Sequence, residues 1–316
     1  MKIAYIVSSS YSGSTLLSFI LNAHPKIGTI SEFDRMHDIG SNPEFLCSCG
    51  LRIRQCPFFV ELESLLRGQG FRFAIDDMDM TLSLHGNWRI NQILAEKIPL
   101  FQSSGLENLR SRIVDSIPYF TDKKETFYTR NDAFMRAILD LQKAEIFLDA
   151  NKNPYRLRVL RKRYDVRAIY LFKNGIPNVY SYVKNTADSS HPLGVEAATR
   201  RWFEEQITIS RSLKYLDPTR VLQVSYTDMC NDVPATAKRI CELLDIEYAP
   251  LDNYAHVPHH IIGNRMRLGK ISEIKERTDW KERLSRADVE QYRRVAEKCL
   301  PALRAVNPAV TEHIWL

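Results

Sequence analysis

The segment Ile3-Ala-Tyr-Ile-Val-Ser-Ser-Ser-Tyr-Ser-Gly-Ser-Thr-Leu-Leu-Ser-Phe-Ile-Leu-Asn22 constrains the fold more than any other stretch of this 316-residue chain. Residues 3–7 are apolar and partly β-branched, residues 8–14 hold five Ser and one Gly, and residues 15–21 are apolar after Thr15. That order reads as a buried strand, a small-residue loop and a helix. A helix starting there turns unpaired N–H groups and a partial positive charge toward the loop, which suits phosphate or sulfate. The loop lacks the spacing G-x-x-x-x-G-K-[ST], so it is not an ordinary nucleotide-triphosphate loop, and a plain Ser-rich connection remains an alternative at this point.

With 44% hydrophobic and 26% charged residues, the chain is long enough to bury a large core as one α/β domain, residues 1–316, with insertions. A net charge of +6 favours anionic ligands, but no basic, aromatic-interleaved tract argues for nucleic acid. The first strand begins within two residues of Met1 and no run of about 18 apolar residues occurs, so the expectation is a chain without signal peptide or membrane span, in the cytoplasm. Oligomeric state is not legible.

Cys47, Cys49 and Cys56 cluster as Cys-Ser-Cys-Gly-(x)5-Cys-Pro. Only three ligands lie close in sequence, and His37 and His85 are not at finger-like spacing, so packed thiols or a local disulfide are favoured over zinc and no metal is assigned. The adjacent His259 and His260 read as polar loop residues rather than a metal pair.

After the first helix, Ala23-His24-Pro25 ends the element, and residues 26–32 form a strand that delivers Ser31 and Glu32 at its carboxyl end. In open α/β sheets that end faces the ligand crevice, which makes Glu32 a candidate catalytic carboxylate. Residues 34–143 lack strand–helix alternation and read as a helical insertion, with runs at 58–67, 88–97 and 131–143. The α/β rhythm resumes with a strand at 144–148, a loop carrying Lys152, and a helix near 155–163 whose Arg156, Arg158, Arg161, Lys162 and Arg163 read as a solvated basic face. A buried strand at 166–172 precedes Lys173 and a helix carrying Ser181. Helix 194–216, with Trp202, Phe203, Ile207 and Leu213 toward the core, leads to a strand at 220–225, Tyr226 and another helix. Residues 256–280 form a basic, Gly-punctuated loop before a last helix near 286–299.

With these positions in view, the chain resembles sulfotransferases that use 3′-phosphoadenosine-5′-phosphosulfate (PAPS), particularly the bacterial and Golgi/tyrosylprotein-type branches. Ser12-Gly13-Ser14-Thr15, followed by Leu-Leu-(x)4-Asn-Ala-His-Pro25, resembles the loop that holds the 5′-phosphosulfate. Glu32 falls where the tyrosylprotein-type enzymes carry their catalytic base, and Asn151-Lys152-Asn153-Pro154 resembles the segment whose Lys contacts the transferring group. Lys173 and Ser181 correspond to the Arg and Ser that grip the 3′-phosphate, Tyr226 to a Tyr at adenine, and Gly263-Asn-Arg265-Met-Arg267 to a loop reaching the 3′-phosphate. The Cys-Ser-Cys-Gly…Cys-Pro segment also recurs in bacterial relatives. Two positions depart from the pattern. Tyr11 stands where the family usually has Arg or Lys, and Lys173-Asn-Gly-Ile176 stands in place of Arg-Asp-Pro-Arg.

The resemblance implies a P-loop-like three-layer α/β fold with a mostly parallel sheet. It also implies sulfuryl transfer to a hydroxyl or amine of a small-molecule, carbohydrate or lipid acceptor. Glu32 and Lys152 would be catalytic; Tyr11, Ser12, Gly13, Ser14, Thr15, Lys173, Ser181, Tyr226, Arg265 and Arg267 would bind the donor. Tyr11 and the Asn174-Gly-Ile176 departure keep open a catalytically weakened protein that binds PAPS or its product, adenosine 3′,5′-bisphosphate. A nucleotide kinase is a more distant alternative, because no Lys follows the loop Gly.

Overall fold

In the computed structural model, residues 1–33, 39, 42–75, 80–95, 104–251, 254–269 and 274–315 are described, with Ser104 and Arg265 described in the backbone alone. Five strands form one parallel sheet: β1 (Lys2–Val7), β2 (Ile27–Ser31), β3 (Ile146–Lys152), β4 (Asp165–Phe172) and β5 (Val221–Ser225), in the order β2-β3-β1-β4-β5. The order places β1 at the centre, with Val7 paired to Lys152 on one side and to Tyr170 on the other.

The side-chain alternation of a strand explains why β1 reads as one apolar run. Ile3, Tyr5 and Val7 enter one core, Ala4 and Ile6 the other, so every second residue meets a different layer of helices. On the Ala4–Ile6 face lie α1 (Ser14–Leu21), through Leu16, Leu17 and Ile20, and the helix Val233–Leu244, through Ile240 and Leu244. The opposite face is covered by helices within 57–142, by Val195–Leu213 and by Arg286–Arg304. Trp202, Phe203 and Leu213 are buried there, with Ile207 packed at the edge.

Within 34–143 the described elements are helical: α2 (Pro57–Gly68), α3 (Trp88–Leu94), α4 (Ser104–Ser116) and α5 (Pro118–Gln142). Helix α5 starts well before residue 131, where the apolar pattern becomes dense. Its first turns are polar, but Pro118 at the N-terminus and buried Phe127 and Tyr128 carry it back to the core. The 88–97 run ends sooner than its pattern, at Leu94, and residues 96–97 lie outside the described residues. Among the described residues no helix is long and apolar enough to cross a membrane.

One expectation about α6 (Pro154–Leu160) is corrected. Arg156 and Arg158 do not form a solvated face: both are buried, at 7% and 4% exposure. Arg156 Nε donates to Asp149 at 2.9 Å, Nη1 to the Met80 carbonyl at 2.9 Å and Nη2 to Asn131 at 2.6 Å, with its guanidinium over Phe33. Arg158 donates to Glu107 at 2.8 Å and lies over Tyr215. A basic sequence looks solvent-facing until the acids that neutralise it, Asp149 in β3 and Glu107 in α4, are brought beside it.

The buried Arg156–Asp149 pair ties sheet, α5 and α6 together. Arg156→Ala leaves a buried carboxylate uncompensated and should lower unfolding free energy by about 3–5 kcal/mol in urea titration. A loss below about 1 kcal/mol, the range of an exposed pair, would show that water enters the site.

Candidate functional site

Three strands end at one place. Val7 runs into the 8–13 loop, Ser31 into Glu32, and β3 ends on Lys152 itself, because the strand continues through Asp149-Ala-Asn-Lys152 rather than stopping at 148. Five described non-glycine residues have positive φ; Lys143 and Asp245 close helices, while Tyr11 (61°), Ser31 (69°) and Lys152 (64°) lie at these strand ends. A left-handed backbone costs a side-chain-bearing residue about 1–2 kcal/mol, and such outliers gather where surrounding structure fixes a functional geometry.

The turn at Lys152 sends its Nζ to Glu32 Oε1 at 2.7 Å, with the two side chains 19% and 10% exposed. This pair separates two cavities. One, of about 260 Å³, is lined by Ser10, Tyr11, Ile262, Gly263 and the pair itself. The other, of about 680 Å³, has Ser8, Asn153, Tyr155, Arg201 and Glu205 in its wall, and again Glu32 and Lys152.

Gly13 caps α1 with φ 93° and provides no side-chain cap, so the first N–H groups of the helix face the loop. A Cβ at Gly13 would stand 2.5 Å from the Tyr226 ring, which explains why only Gly fits. The Ser14 and Thr15 side chains are buried at the head of the helix, and Thr15 Oγ1 and Ser8 Oγ have no hydrogen-bond partner among the described residues. Unpartnered buried hydroxyls beside free helix N–H groups are what an anion seat requires. The Ser12 hydroxyl faces inward instead, bonded to Ser9 at 2.6 Å and to Asn178 Nδ2 at 3.2 Å.

Tyr11 supplies no cation. Its ring meets Tyr182 edge to face at 5.1 Å; the Tyr182 hydroxyl donates to Glu205, and Arg201 pairs with Glu205 at 2.9 Å. The Ser10 N–H is directed at the Tyr182 hydroxyl, 3.1 Å away.

A second group gathers at the start of the helix α7 (Gly175–Thr186). Lys173 Nζ donates to Ser181 Oγ at 3.2 Å and lies 5.1 Å over the Tyr226 ring. Burial lowers its pKa to about 8, against the opposing pull of Glu276 and Asp279. Lys173, Ser181 and Tyr226 therefore come together, and Tyr226 joins them to Gly13. Arg267 is placed differently: its guanidinium donates to the carbonyls of Leu46, Gly263 and Asn264 and stacks on Phe45, bracing the 261–268 segment. The Arg265 side chain lies outside the described residues.

Sequence reading missed the residues that hold the cradle in shape. Asn178 grips Ser10 and Ser12, and Gln206 donates to Ser9 at 3.1 Å, yet both sit within helices where polar residues look like solvent-facing positions. It also set His260 aside, while the structure places His260 beside Cys47, Cys49 and Cys56. Of the two other histidines weighed with these cysteines, His37 lies outside the described residues and His85 accepts from the Asn87 N–H.

No curated protein matches the chain. Solved structures similar to it include the sulfotransferase domain from the curacin biosynthetic pathway, at 14% identity over 94% of this chain and 96% of that one, with TM-score 0.49. Sulfotransferase STF9 from Mycobacterium avium is 13% identical over 95% of this chain and 76% of that one, with TM-score 0.46. A sulfotransferase from Alicyclobacillus acidocaldarius is 14% identical over 96% and 99%, with TM-score 0.41. The sequence model of the sulfotransferase family matches residues 85–250, more than half of the chain, a span that holds Lys152, Lys173, Ser181 and Tyr226. On that match, the chain belongs to the sulfotransferase family.

Proposed function

We infer that the protein is an enzyme that transfers a sulfuryl group from PAPS to a hydroxyl or amine of a small-molecule, carbohydrate or lipid acceptor. The observation that carries this reading is the Lys152–Glu32 pair, held by left-handed residues beside an anion seat with unpartnered hydroxyls. The residues fit the donor: Ser12, Gly13, Ser14 and Thr15 for the 5′-phosphosulfate, Lys173 and Ser181 for the 3′-phosphate, Tyr226 between them. When bound, the nucleotide supplies an activated sulfuryl group.

The chain's own groups do the rest. Glu32, held beside an ammonium, is the carboxylate that takes the acceptor's proton, which raises the electron density on the attacking oxygen or nitrogen. With an anion in the 8–15 loop, the Lys152 ammonium would be shared between it and Glu32, and with the first N–H groups of α1 would offset growing negative charge. Both cavities are lined by this pair, so a ligand in either one reaches the same carboxylate and cation.

A second reading has its own observation. Tyr11 replaces a cation, and the Ser10 N–H turns toward Tyr182 and Glu205 rather than an anion, which favours a nucleotide-binding protein with weakened transfer. Calorimetric titration with adenosine 3′,5′-bisphosphate, alongside transfer of radiolabelled sulfate to a broad acceptor panel, separates the two. Tight binding with no transfer to any acceptor favours the second reading.

Glu32→Gln should reduce turnover by about 10²–10⁴-fold while bisphosphate affinity stays within a few-fold of wild type. Lost binding with normal residual turnover would sink the assignment.

The depressed pKa of Lys173 sets a pH dependence. Below about 8 the ammonium is charged; above it the charge is lost, and the 3′-phosphate loses its partner. Bisphosphate Kd should therefore rise above pH 8, approaching about tenfold per pH unit, and Lys173→Arg should flatten the profile. In the free protein the sign reverses. Between about 8 and the ordinary 10.5 the unfolded chain binds more protons at this Lys, so it contributes stability that grows with pH. A flat wild-type Kd between pH 7 and 9.5 would remove Lys173 from the phosphate.

A further inference from the structure

Three thiols and one imidazole converge on the side of the molecule facing the 258–268 segment. The ligand atoms of Cys47, Cys49, Cys56 and His260 all lie within 4.8 Å of one another. Cys49 Sγ is 3.6 Å from Cys56 Sγ, and Cys56 Sγ is 3.8 Å from Cys47 Sγ. His260 Nδ1 is 3.3 Å from Cys56 Sγ and 3.9 Å from Cys47 Sγ.

We propose that these four residues form a structural zinc site, Cys47–Cys49–Cys56–His260, that fastens the 258–268 segment to the 46–56 hairpin. A tetrahedral ion with Zn–S of about 2.3 Å and Zn–N of about 2.0–2.1 Å requires S–S edges of about 3.8 Å and S–N edges of about 3.6 Å. Two S–S separations, 3.6 and 3.8 Å, and two S–N separations, 3.3 and 3.9 Å, lie close to those edges, and the other two lie within 4.8 Å. A disulfide demands sulfurs about 2.05 Å apart and uses two thiols, leaving the third and the imidazole without purpose. An iron–sulfur cluster interposes sulfides and several irons between its thiolates, and needs wider ligand spacing than this.

The backbone is arranged for the same end. Leu46 and Arg52 pair as an antiparallel bridge, Cys47 N–H donates to the Leu51 carbonyl at 2.8 Å, and Gly50 takes the left-handed turn at φ 87° that brings Cys49 back beside Cys47. Backbone N–H groups of Cys49 and Phe59 are directed at the sulfurs of Cys47 and Cys56. Cys56 caps the N-terminus of α2, where a thiolate is favoured by the helix dipole. On the other strand of the clasp, the His260 ring stacks on Phe58 with centroids 4.6 Å apart and planes 4° from parallel. The Ser48 hydroxyl donates to the His259 carbonyl and accepts from the Ile261 N–H, both at 2.8 Å, so the residues on each side of His260 are fixed before any ion enters.

In the loaded site three thiolates and the Nδ1 lone pair of His260 surround the ion, leaving a net charge of −1, and the thiol protons displaced on loading pass to solvent. The ion has no open position for substrate and takes no part in transfer. Its effect is positional. Two residues after His260, Ile262 donates its N–H to the Ile30 carbonyl of β2 and accepts from the Glu32 N–H just beyond it, and Gly263 lies against Thr15 and Glu32. The clasp thus holds one wall of the smaller cavity.

Wild-type protein, expressed with zinc and iron both supplied and dialysed without chelator, should carry a single zinc ion per chain by mass spectrometry of metals. X-ray absorption at the zinc edge should show three sulfurs at about 2.3 Å and one nitrogen at about 2.0–2.1 Å. His260→Ala should lose most of this zinc to a chelator that leaves wild type loaded. Wild-type protein that stays metal-free after incubation with zinc, with all three thiols titrating in the native state, overturns the proposal. So does a Cys47–Cys56 or Cys49–Cys56 disulfide found by peptide mapping, or iron in place of zinc. Metal content is read without turnover, so this outcome is independent of the sulfuryl-transfer reading.

Discussion

The backbone at Tyr11, Ser31 and Lys152 cannot relax without disassembling the centre of the molecule. Each follows or ends a strand of a sheet buried on both faces, and each adopts the left-handed region that residues with a Cβ avoid. Cross-strand pairing of Val7 with Lys152 and of Ser31 with Asp149 holds two of them, and the hydrogen bonds of Asn178 and Gln206 hold the loop around the third. From these turns follow the direction of the Lys152 ammonium, the opening of the helix N-terminus at Gly13, and the place where two cavities meet.

Support for this arrangement comes from charge that has been made internal. Arg156 and Arg158 bring helix, sheet and the 57–142 helices into register through Asp149 and Glu107. An ion pair in such a place adds little net stability over packed apolar groups, but it permits few alternative alignments, since a shifted partner leaves a charge stranded. The Arg267 fork does comparable service for the 261–268 segment using carbonyls rather than carboxylates.

Much of the fold was legible because it rests on local patterns. The apolar run of β1, the Ser/Gly loop and the apolar α1 are contiguous, and the strands at 166–172 and 220–225 announce themselves as β-rich runs. What was not legible depends on partners distant in sequence. By sequence Lys152 falls in a loop because Asp149, Asn151 and Lys152 are polar, yet Asp149 pairs with Arg156 and Asn151 accepts the Phe33 N–H, so the strand continues. His260 lies more than two hundred positions from the cysteines it faces, and no spacing rule spans that distance. Of the residues that resemble family positions, Lys173, Ser181, Tyr226 and Gly13 come together; Arg267 turns to the loop it belongs to.

The helix Gly175–Thr186 carries Asn178, which grips the Ser-rich loop, and Ser181, which bonds to Lys173. They are three residues apart, about 4.5 Å along one rigid axis. The Ser-rich loop and Lys173 are thereby mounted on a single gauge block. Their separation is a property of helical geometry rather than of loop conformation. The spacing between the Ser-rich loop and Lys173 is thus set by one turn of one helix.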